Sequence, residues 1–384
     1  MYSKLTLSVI RTQVLLFILL LPMVIQAQQR VRDLGIHIGV MSPGKNNAIT
    51  DVDGVSVGHT TIIKGDSIRT GVTAVIPAPG NLFQQKIPAA IFAGNGFGKL
   101  AGSTQVTELG NLETPVVLTN TLAVGTAMNA VVKYTLRQDG NSGAQSVNAL
   151  IGETNDGYLN DIRGMHVREE DVISAITTAR PGVVREGNIG AGTGTMCFGF
   201  KGGIGTASRK LPESLGGFTV GVLVQSNFGG VLQIDGVPVG EELNTFSFRN
   251  SLMNNADGSC MIIVCTDAPL DARNLERLAK RAFMGLAKTG GIASNGSGDY
   301  CIAFSTTPEN RIPHDPNSRT RNTIVLENDV LSPLFMGAIE ATEEAIINSL
   351  FAAEDMTGRN NHTGKALPLK EVTRIMKKYN RISK

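Results

Sequence analysis

Residues 254–268 read NNADGSCMIIVCTDA. A polar run, Asn254-Asn255-Ala256-Asp257-Gly258, meets Ser259, and Ser259 opens an unbroken apolar stretch, Cys260-Met261-Ile262-Ile263-Val264-Cys265. A short continuous apolar run bounded by turn formers predicts a strand buried on both faces. Such a strand needs a cover on each side of its sheet, so this one stretch already asks for a layered α/β fold.

The flanking sequence supplies the layers. Gly217–Gln225 and Tyr300–Phe304 are further apolar strands, and Val72–Ala78, Ala89–Ala93 and Pro115–Leu118 are short strands bounded by Gly and Pro. Between the strands at 259 and 300, Leu275, Leu278, Ala279, Ala282, Phe283 and Leu286 follow helical spacing, while Arg273, Glu276, Arg277, Lys280 and Arg281 take the opposite face. Gly290-Gly291 closes that helix. Other helices are expected over Thr121–Arg137 and Glu170–Ala179, from an N-cap at Ser332 with Pro333 at N1 to about Ala353, and over Pro368–Tyr379. No Pro/Ser-rich linker divides the chain, so a single domain is expected.

Composition narrows the function. The chain has 384 residues, 42% hydrophobic and 18% charged, with a net charge of +2, so nucleic acid is a poor candidate partner. The basic end, Lys377-Lys378-Tyr379-Asn380-Arg381, reads as a solvated tail. The 44 glycines are clustered rather than periodic, which excludes collagen and repeat arrays.

Residues 1–27 carry the marks of a secretory signal. Lys4 and Arg11 precede the apolar Val14–Leu21, and Ala27 stands before Gln28-Gln29-Arg30, so cleavage is expected after Ala27. An uncleaved membrane anchor is the alternative. Export places the mature domain, 28–384, in the periplasm or outside the cell, with no membrane span once the signal is removed. The four cysteines, Cys197, Cys260, Cys265 and Cys301, lie in apolar strand-like contexts without zinc spacing, and buried free thiols are expected.

Several motifs fail on inspection. Gly187–Gly194 runs G-x-x-G-x-G-x-G, not the dinucleotide pattern, and Met196–Phe200 after it reads as a strand rather than a helix. Lys201 is followed by Gly, so no phosphate loop forms; Gly94–Lys99 fails in the same way. Both read as turns where backbones approach closely. None of His37, His59, His166, His314 and His362 has metal-ligand spacing, so neither a metal nor a cofactor is expected.

The remaining motifs act as a set. They are Arg32–Ile36, Asn47–Val52, Val57-Gly58-His59, Asn95-Gly96, Gly98-Lys99, Glu113-Thr114-Pro115, Leu118–Thr121, Gly152–Asp161, Gly187–Gly194, Lys201–Arg209, Val224–Gly229, Asp257-Gly258-Ser259 and Ser294–Asp299. Together they resemble the self-cleaving serine aminopeptidases, which include the L-aminopeptidase/D-amino-acid esterase-amidases and β-peptidyl aminopeptidases. The likeness runs from about Arg30 to about Glu354. It implies an αββα sandwich like that of the N-terminal-nucleophile hydrolases. It also implies self-cleavage at Gly258-Ser259 into chains 28–258 and 259–384, and a homo-oligomer of cleaved protomers.

Chemistry supports the junction independently. Gly258 lacks a Cβ and can expose its carbonyl in a strained conformation. Ser259 Oγ can attack that carbonyl, and hydrolysis then leaves a serine with a free α-amine. A reference pKa of about 7.7–8.0 lets that amine serve as base for its own hydroxyl. The plainer reading of the pair is a Gly-Ser turn.

The resemblance assigns the other roles. Ser297 and Asp299 tune the nucleophile's protonation, though relatives carry Glu where Asp299 stands. The Asn227 amide donates to the oxyanion. Glu153 grips the substrate's α-ammonium, and Tyr158 lines the site or assists the oxyanion. The expected activity is release of N-terminal L-, D- or β-amino acids from short peptides, amides or esters through an acyl-enzyme on Ser259. The alternatives are an acyltransferase of the ornithine-acetyltransferase type and a non-catalytic secreted binding protein.

Overall fold

A computed structural model describes residues 28–247 and 258–382. Two sheets form the centre. The first has strands β1 (Ser56–Lys64), β2 (Ile68–Ile76), β4 (Leu100–Ala101), β6 (Val116–Asn120) and β7 (Leu150–Thr154), in the order β1-β2-β6-β7-β4. The second contains β3 (Gln85–Gly96), β5 (Asn111–Leu112), β10 (Gly203–Lys210), β11 (Thr219–Asn227), β12 (Ser259–Thr266), β13 (Gly298–Ser305) and β14 (Ile312–Pro313). Its order is β10-β11-β12-β13-β3-β14, with β5 also on β3. A small hairpin, β8 (Met196–Cys197) and β9 (Phe200–Lys201), stands outside both.

The helices are α1 (Ser103–Leu109), α2 (Val124–Leu136), α3 (Glu169–Thr177), α4 (Val239–Glu242), α5 (Ala272–Lys288), α6 (Ser332–Phe351) and α7 (Leu369–Lys378). Three apolar clusters define the layers. Val72, Ala74, Val117 and Ile151 of the first sheet pack on Ala127, Val131, Val172 and Ala175 of α2 and α3. Their neighbours Val75, Val116, Leu118 and Leu150 turn the other way, to meet Leu223, Met261, Ile263 and Ile302 of the second sheet. On the far side Val222, Val224, Cys260, Ile262 and Val264 pack on Leu275, Leu278, Ala282, Ala341 and Ala345 of α5 and α6. The order helix, sheet, sheet, helix is the αββα sandwich.

This architecture explains β12. Its residues alternate between the intersheet core and the helix layer, and both faces are covered, so every position is apolar or small. Cys260 and Cys265 fall on opposite faces, as their odd separation requires. All four cysteines are buried and free. β12 and β13 pair in parallel, as a crossover through α5 demands.

Three local expectations change. Gly94-Asn95-Gly96 is not a turn but the end of β3, where Asn95 and Gly96 pair with Asp299 and Gly298 of β13. Met196–Phe200 is not one strand. Phe198 (φ 53°) and Gly199 (φ 81°) turn it back as a two-residue hairpin, the geometry of a type I′ connection. Ser332 is the first helical residue rather than the cap, with Leu331 at the cap position and Pro333 in the first turn. The glycines of 187–194 do allow close approach. A Cβ on Gly192 would lie 2.4 Å from the Ile204 nitrogen, and one on Gly194 would lie 2.2 Å from the Arg69 carbonyl oxygen. The segment 1–27 lies outside the described residues. Among the described residues no helix is long and apolar enough to cross a membrane.

Candidate active site

The strand β12 begins at Ser259, and pairing on both sides fixes its surroundings. Asn227, the last residue of β11, is opposite Ser259 on one flank, and Gly298, the first of β13, is opposite on the other. Three segments far apart in sequence therefore meet at one sheet end. The Ser259 hydroxyl lies 2.5 Å from the carbonyl oxygen of Gly258, to which it donates. The Gly298 N–H approaches the same oxygen at 3.3 Å, so the peptide bond before Ser259 is polarised from two directions.

Gly258 is required here by space. A Cβ would come 2.8 Å from Phe228 Cα and 3.1 Å from the Asn227 carbonyl oxygen, closer than a side chain tolerates next to backbone. The residue before the nucleophile is thus wedged against the strand end that carries Asn227.

Asn227 is buried, and its Oδ1 accepts the Met196 N–H at 2.9 Å. With the oxygen so occupied, the NH2 is the end left to donate. Ser297 donates from Oγ to Asp299 Oδ1 at 2.8 Å, and both are almost fully buried. The other carboxylate oxygen of Asp299 is buried without a hydrogen-bond partner. Burial pushes the Asp299 carboxyl up to about 6, against the opposing pull of the Ser297 hydroxyl and the Cys260 N–H. Asp299 faces Cys260 in the parallel register, one residue from the nucleophile. Asn95 holds the turn that carries the pair, with its Nδ2 donating to the Ser294 and Ser297 carbonyls at 2.7 Å each.

Glu153 approaches from the other sheet. It lies on β7, is buried, and its Oε1 accepts the Lys99 N–H at 2.9 Å. Its Oε2 accepts the Thr121 hydroxyl. The Lys99 ammonium, half exposed, lies 3.8 Å from Oε1. The link to the nucleophile runs through Gly98. A Cβ there would sit 3.1 Å from both Glu153 Oε1 and Gly298 Cα, and the Gly98 carbonyl accepts the Tyr300 hydroxyl at 2.8 Å. Burial raises the Tyr300 hydroxyl above its ordinary range, and the nearby Glu153 and Asp299 carboxylates add to this. Glu153, Tyr300, Asp299 and Ser259 therefore belong to one neighbourhood built from both sheets.

Tyr158 stands differently. It is half exposed, stacks on His362 at 4.5 Å, and its carbonyl faces the His362 Nδ1 at 2.9 Å. No hydrogen bond or ring contact joins it to Ser259, Ser297 or Asp299. Other contributors carried no assigned role from sequence, namely Met196, Gly298, Asn95, Thr121 and Tyr300. All five act through backbone groups or as supports for another part of the site, which leaves little trace in a residue pattern. Among the described residues no group of three or more His, Cys, Asp or Glu side chains could hold a metal.

What this arrangement can do is acyl transfer. A hydroxyl sits at a carbonyl, an amide donor and a buried carboxylate flank it, and a second buried carboxylate lies within reach. The comparisons with known proteins agree. Residues 47–364 match peptidase family S58. The chain is 42% identical over 378 residues to the β-peptidyl aminopeptidase BapA of Sphingosinicella microcystinivorans, covering 92% of this chain and 93% of that one. It superposes on the PH0078 protein of Pyrococcus horikoshii OT3 with a TM-score of 0.85 at 48% identity, covering 92% and 100% of the two chains. It also superposes on the L-aminopeptidase D-Ala-esterase/amidase of Ochrobactrum anthropi with a TM-score of 0.84 at 36% identity, covering 92% and 99%. That enzyme is described as a prototype of the serine aminopeptidases and a variant of the Ntn hydrolase fold.

Proposed function

The chain belongs to peptidase family S58, and from that premise we propose that it is an exported serine aminopeptidase that activates itself by cutting Gly258-Ser259. The family's activity is that of aminopeptidases, amidases and esterases with an Ntn-type fold. The observation that carries the reading for this chain is the Ser259 hydroxyl resting 2.5 Å from the oxygen of its own preceding carbonyl. There is no room for any residue but glycine on the other side of that carbonyl.

Maturation follows from this contact. Ser259 Oγ adds to the Gly258 carbonyl carbon, the C–N bond breaks, and the hydroxyl proton passes to the departing nitrogen. Water then hydrolyses the ester, giving a carboxylate on Gly258 and returning a proton to Oγ. The products are chains 28–258 and 259–384, the second beginning with a free amine on Ser259.

Turnover reuses the same atoms. The Ser259 amine removes the Oγ proton as Oγ adds to the substrate carbonyl. The Asn227 NH2 donates to the oxyanion, a contribution worth roughly 3–4 kcal/mol when such a donor is preorganised. The leaving amine departs with the proton, and water releases the acyl group from Ser259. Asp299, with one oxygen held by Ser297 and one free, is placed to accept a hydrogen bond from the new amine. Glu153 offers a buried negative charge to the α-ammonium of the substrate, and this confines attack to the first residue. The named activities of the relatives support substrates with L-, D- or β-amino N-termini. The composition of residues 1–27 supports export to the periplasm or beyond, and the family resemblance supports an oligomer of cleaved protomers.

Blocking the substrate amine tests the site reading. Alanine or β-alanine p-nitroanilide is expected to release p-nitroaniline, whereas the N-acetylated compounds are expected to be refused. Equal hydrolysis of free and acetylated substrates would overturn the role of Glu153.

A further inference from the structure

Lys201 is the largest buried cationic side chain near this site, and the chemistry above does not use it. Its relative exposure is 0%. The ammonium donates to the Gly192 carbonyl at 2.9 Å and the Gly202 carbonyl at 2.6 Å. Among the described residues no carboxylate lies within ion-pair distance; two carbonyls receive the ammonium, and burial pushes it down to about 7 although Cys197 and Asp156 oppose this. Burying an ammonium in this way is costly, and an apolar residue of similar length would fill the space. The hydrogen-bonding head group therefore has a local task.

The task is visible in what the hairpin holds. Lys201 pairs across the β8–β9 hairpin with Met196, and the Met196 N–H is the group that fixes Asn227 Oδ1. The tip of the hairpin is bound to the same strand end. The Phe198 N–H donates to the Phe228 carbonyl at 2.7 Å, and the two rings meet edge to face at 5.0 Å. Phe198 keeps a positive φ of 53° to do so, a conformation disfavoured for a bulky side chain. The base of the hairpin is closed by Gly202 N–H to the Thr195 carbonyl at 3.0 Å and Lys201 N–H to the Lys365 carbonyl at 2.7 Å. Through Nζ, Lys201 then ties that base to the glycine-rich loop at Gly192.

We infer that Lys201 is a positioning residue for the oxyanion site, acting by clamping the 196–201 hairpin so that the Met196 N–H holds the Asn227 amide with its NH2 toward the reacting carbonyl. Catalytic donors must be held to about 0.5 Å. A hairpin of two-residue strands, one of them strained at its tip, does not supply that rigidity alone. The inference rests on the reading of Asn227 as oxyanion donor.

A double-mutant cycle separates the two. Wild type, Lys201→Met, Asn227→Ala and the double variant are assayed with alanine p-nitroanilide after processing has run to completion, with melting curves for each. Asn227→Ala is expected to lower kcat by about 10²–10³-fold. Lys201→Met is expected to lower kcat at least tenfold with KM changed less than twofold. Added to Asn227→Ala, it is expected to have no further effect. If Lys201→Met does not fold, Lys201→Gln, which keeps part of the stem and one neutral donor group, replaces it in the same cycle. An unchanged kcat in the lysine variant, or the same loss in both backgrounds, overturns the inference and leaves the oxyanion reading standing. An unchanged kcat in Asn227→Ala overturns both.

Discussion

Arg209 and Asp299 are buried charges on two strands of the same sheet, β10 and β13, yet one is saturated with partners and the other is not. Arg209 Nε and Nη2 meet Glu340 Oε2 at 3.0 Å and Glu344 Oε2 at 2.7 Å, and Nη1 and Nη2 also reach the Ser208 and Ile38 carbonyls. Glu344 binds Arg32 as well, at 2.7 Å, and the Glu340 oxygens accept the Val40 and Met41 N–H groups. Burial pushes the Glu344 carboxyl up, but Arg32 and Arg209 outweigh it and hold the group below its ordinary range. Asp299 has one hydroxyl partner and an orphaned oxygen, and burial prevails. A network in which each charge is answered fastens α6 and the N-terminal segment to the second sheet. On the proposed self-cleavage, the carboxylate left incomplete beside Ser259 is the group that meets the new free amine.

The contrast predicts opposite phenotypes. Asp299→Asn is expected to lower kcat by about 10²–10⁴-fold, the range for a lost proton-transfer partner, while the melting temperature holds. The acid side of the wild-type pH–rate profile is expected to carry two groups, the Ser259 amine and, at lower pH, Asp299, whose carboxyl burial pushes up to about 6. The limb near pH 6 should vanish in the variant while the amine's limb stays. A variant that keeps both its rate and the limb near pH 6 would break the comparison.

Arg209→Met should do the reverse. Removing one partner from a buried ionic cluster costs about 3–5 kcal/mol, measurable by urea denaturation, and kcat per folded molecule should stay at the wild-type value.

Asp156 sharpens the distinction with a smaller effect. It too has an unpartnered buried oxygen, and burial pushes its carboxyl up to about 6, although Thr70, Asn160 and Asn120 oppose this. The folded chain holds that proton more tightly than the unfolded chain. The group's stabilising contribution is therefore complete below about pH 4 and is lost as pH rises through about 6. At about 1.4 kcal/mol per unit, Asp156→Asn should flatten the fall in stability between pH 4 and pH 8 by up to roughly 3 kcal/mol. An unchanged slope would place the pH dependence elsewhere.

Much of this was legible in the chain. The run Cys260–Cys265 announces a strand covered on both faces because both faces lie against apolar layers, and alternation then assigns each residue to its layer. The α5 helix was legible because one of its faces is solvated. Strand β1 was not, since SVGHTTIIK carries polar residues along a partly exposed edge of the first sheet. Met196–Phe200 reads as a strand in sequence because its reversal depends on a phenylalanine at positive φ, held by tertiary contacts that no local pattern encodes. Lys201 fails the phosphate-loop pattern because a glycine follows it. Its actual partners are carbonyls, and any sequence supplies those. Ser259, Ser297, Asp299, Asn227 and Glu153 were named from a resemblance, and the structure gathers them at one end of the sheets. Tyr158, which the resemblance also names, stacks on His362.

The central claim is that the backbone opens at Gly258-Ser259 to create the catalytic amine. Intact-mass and N-terminal analysis of the purified protein tests it most directly. The account predicts two polypeptides, the smaller one starting at Ser259, and a single uncut, inactive chain for Ser259→Ala. An uncut wild-type chain that still releases p-nitroaniline from alanine p-nitroanilide would contradict it.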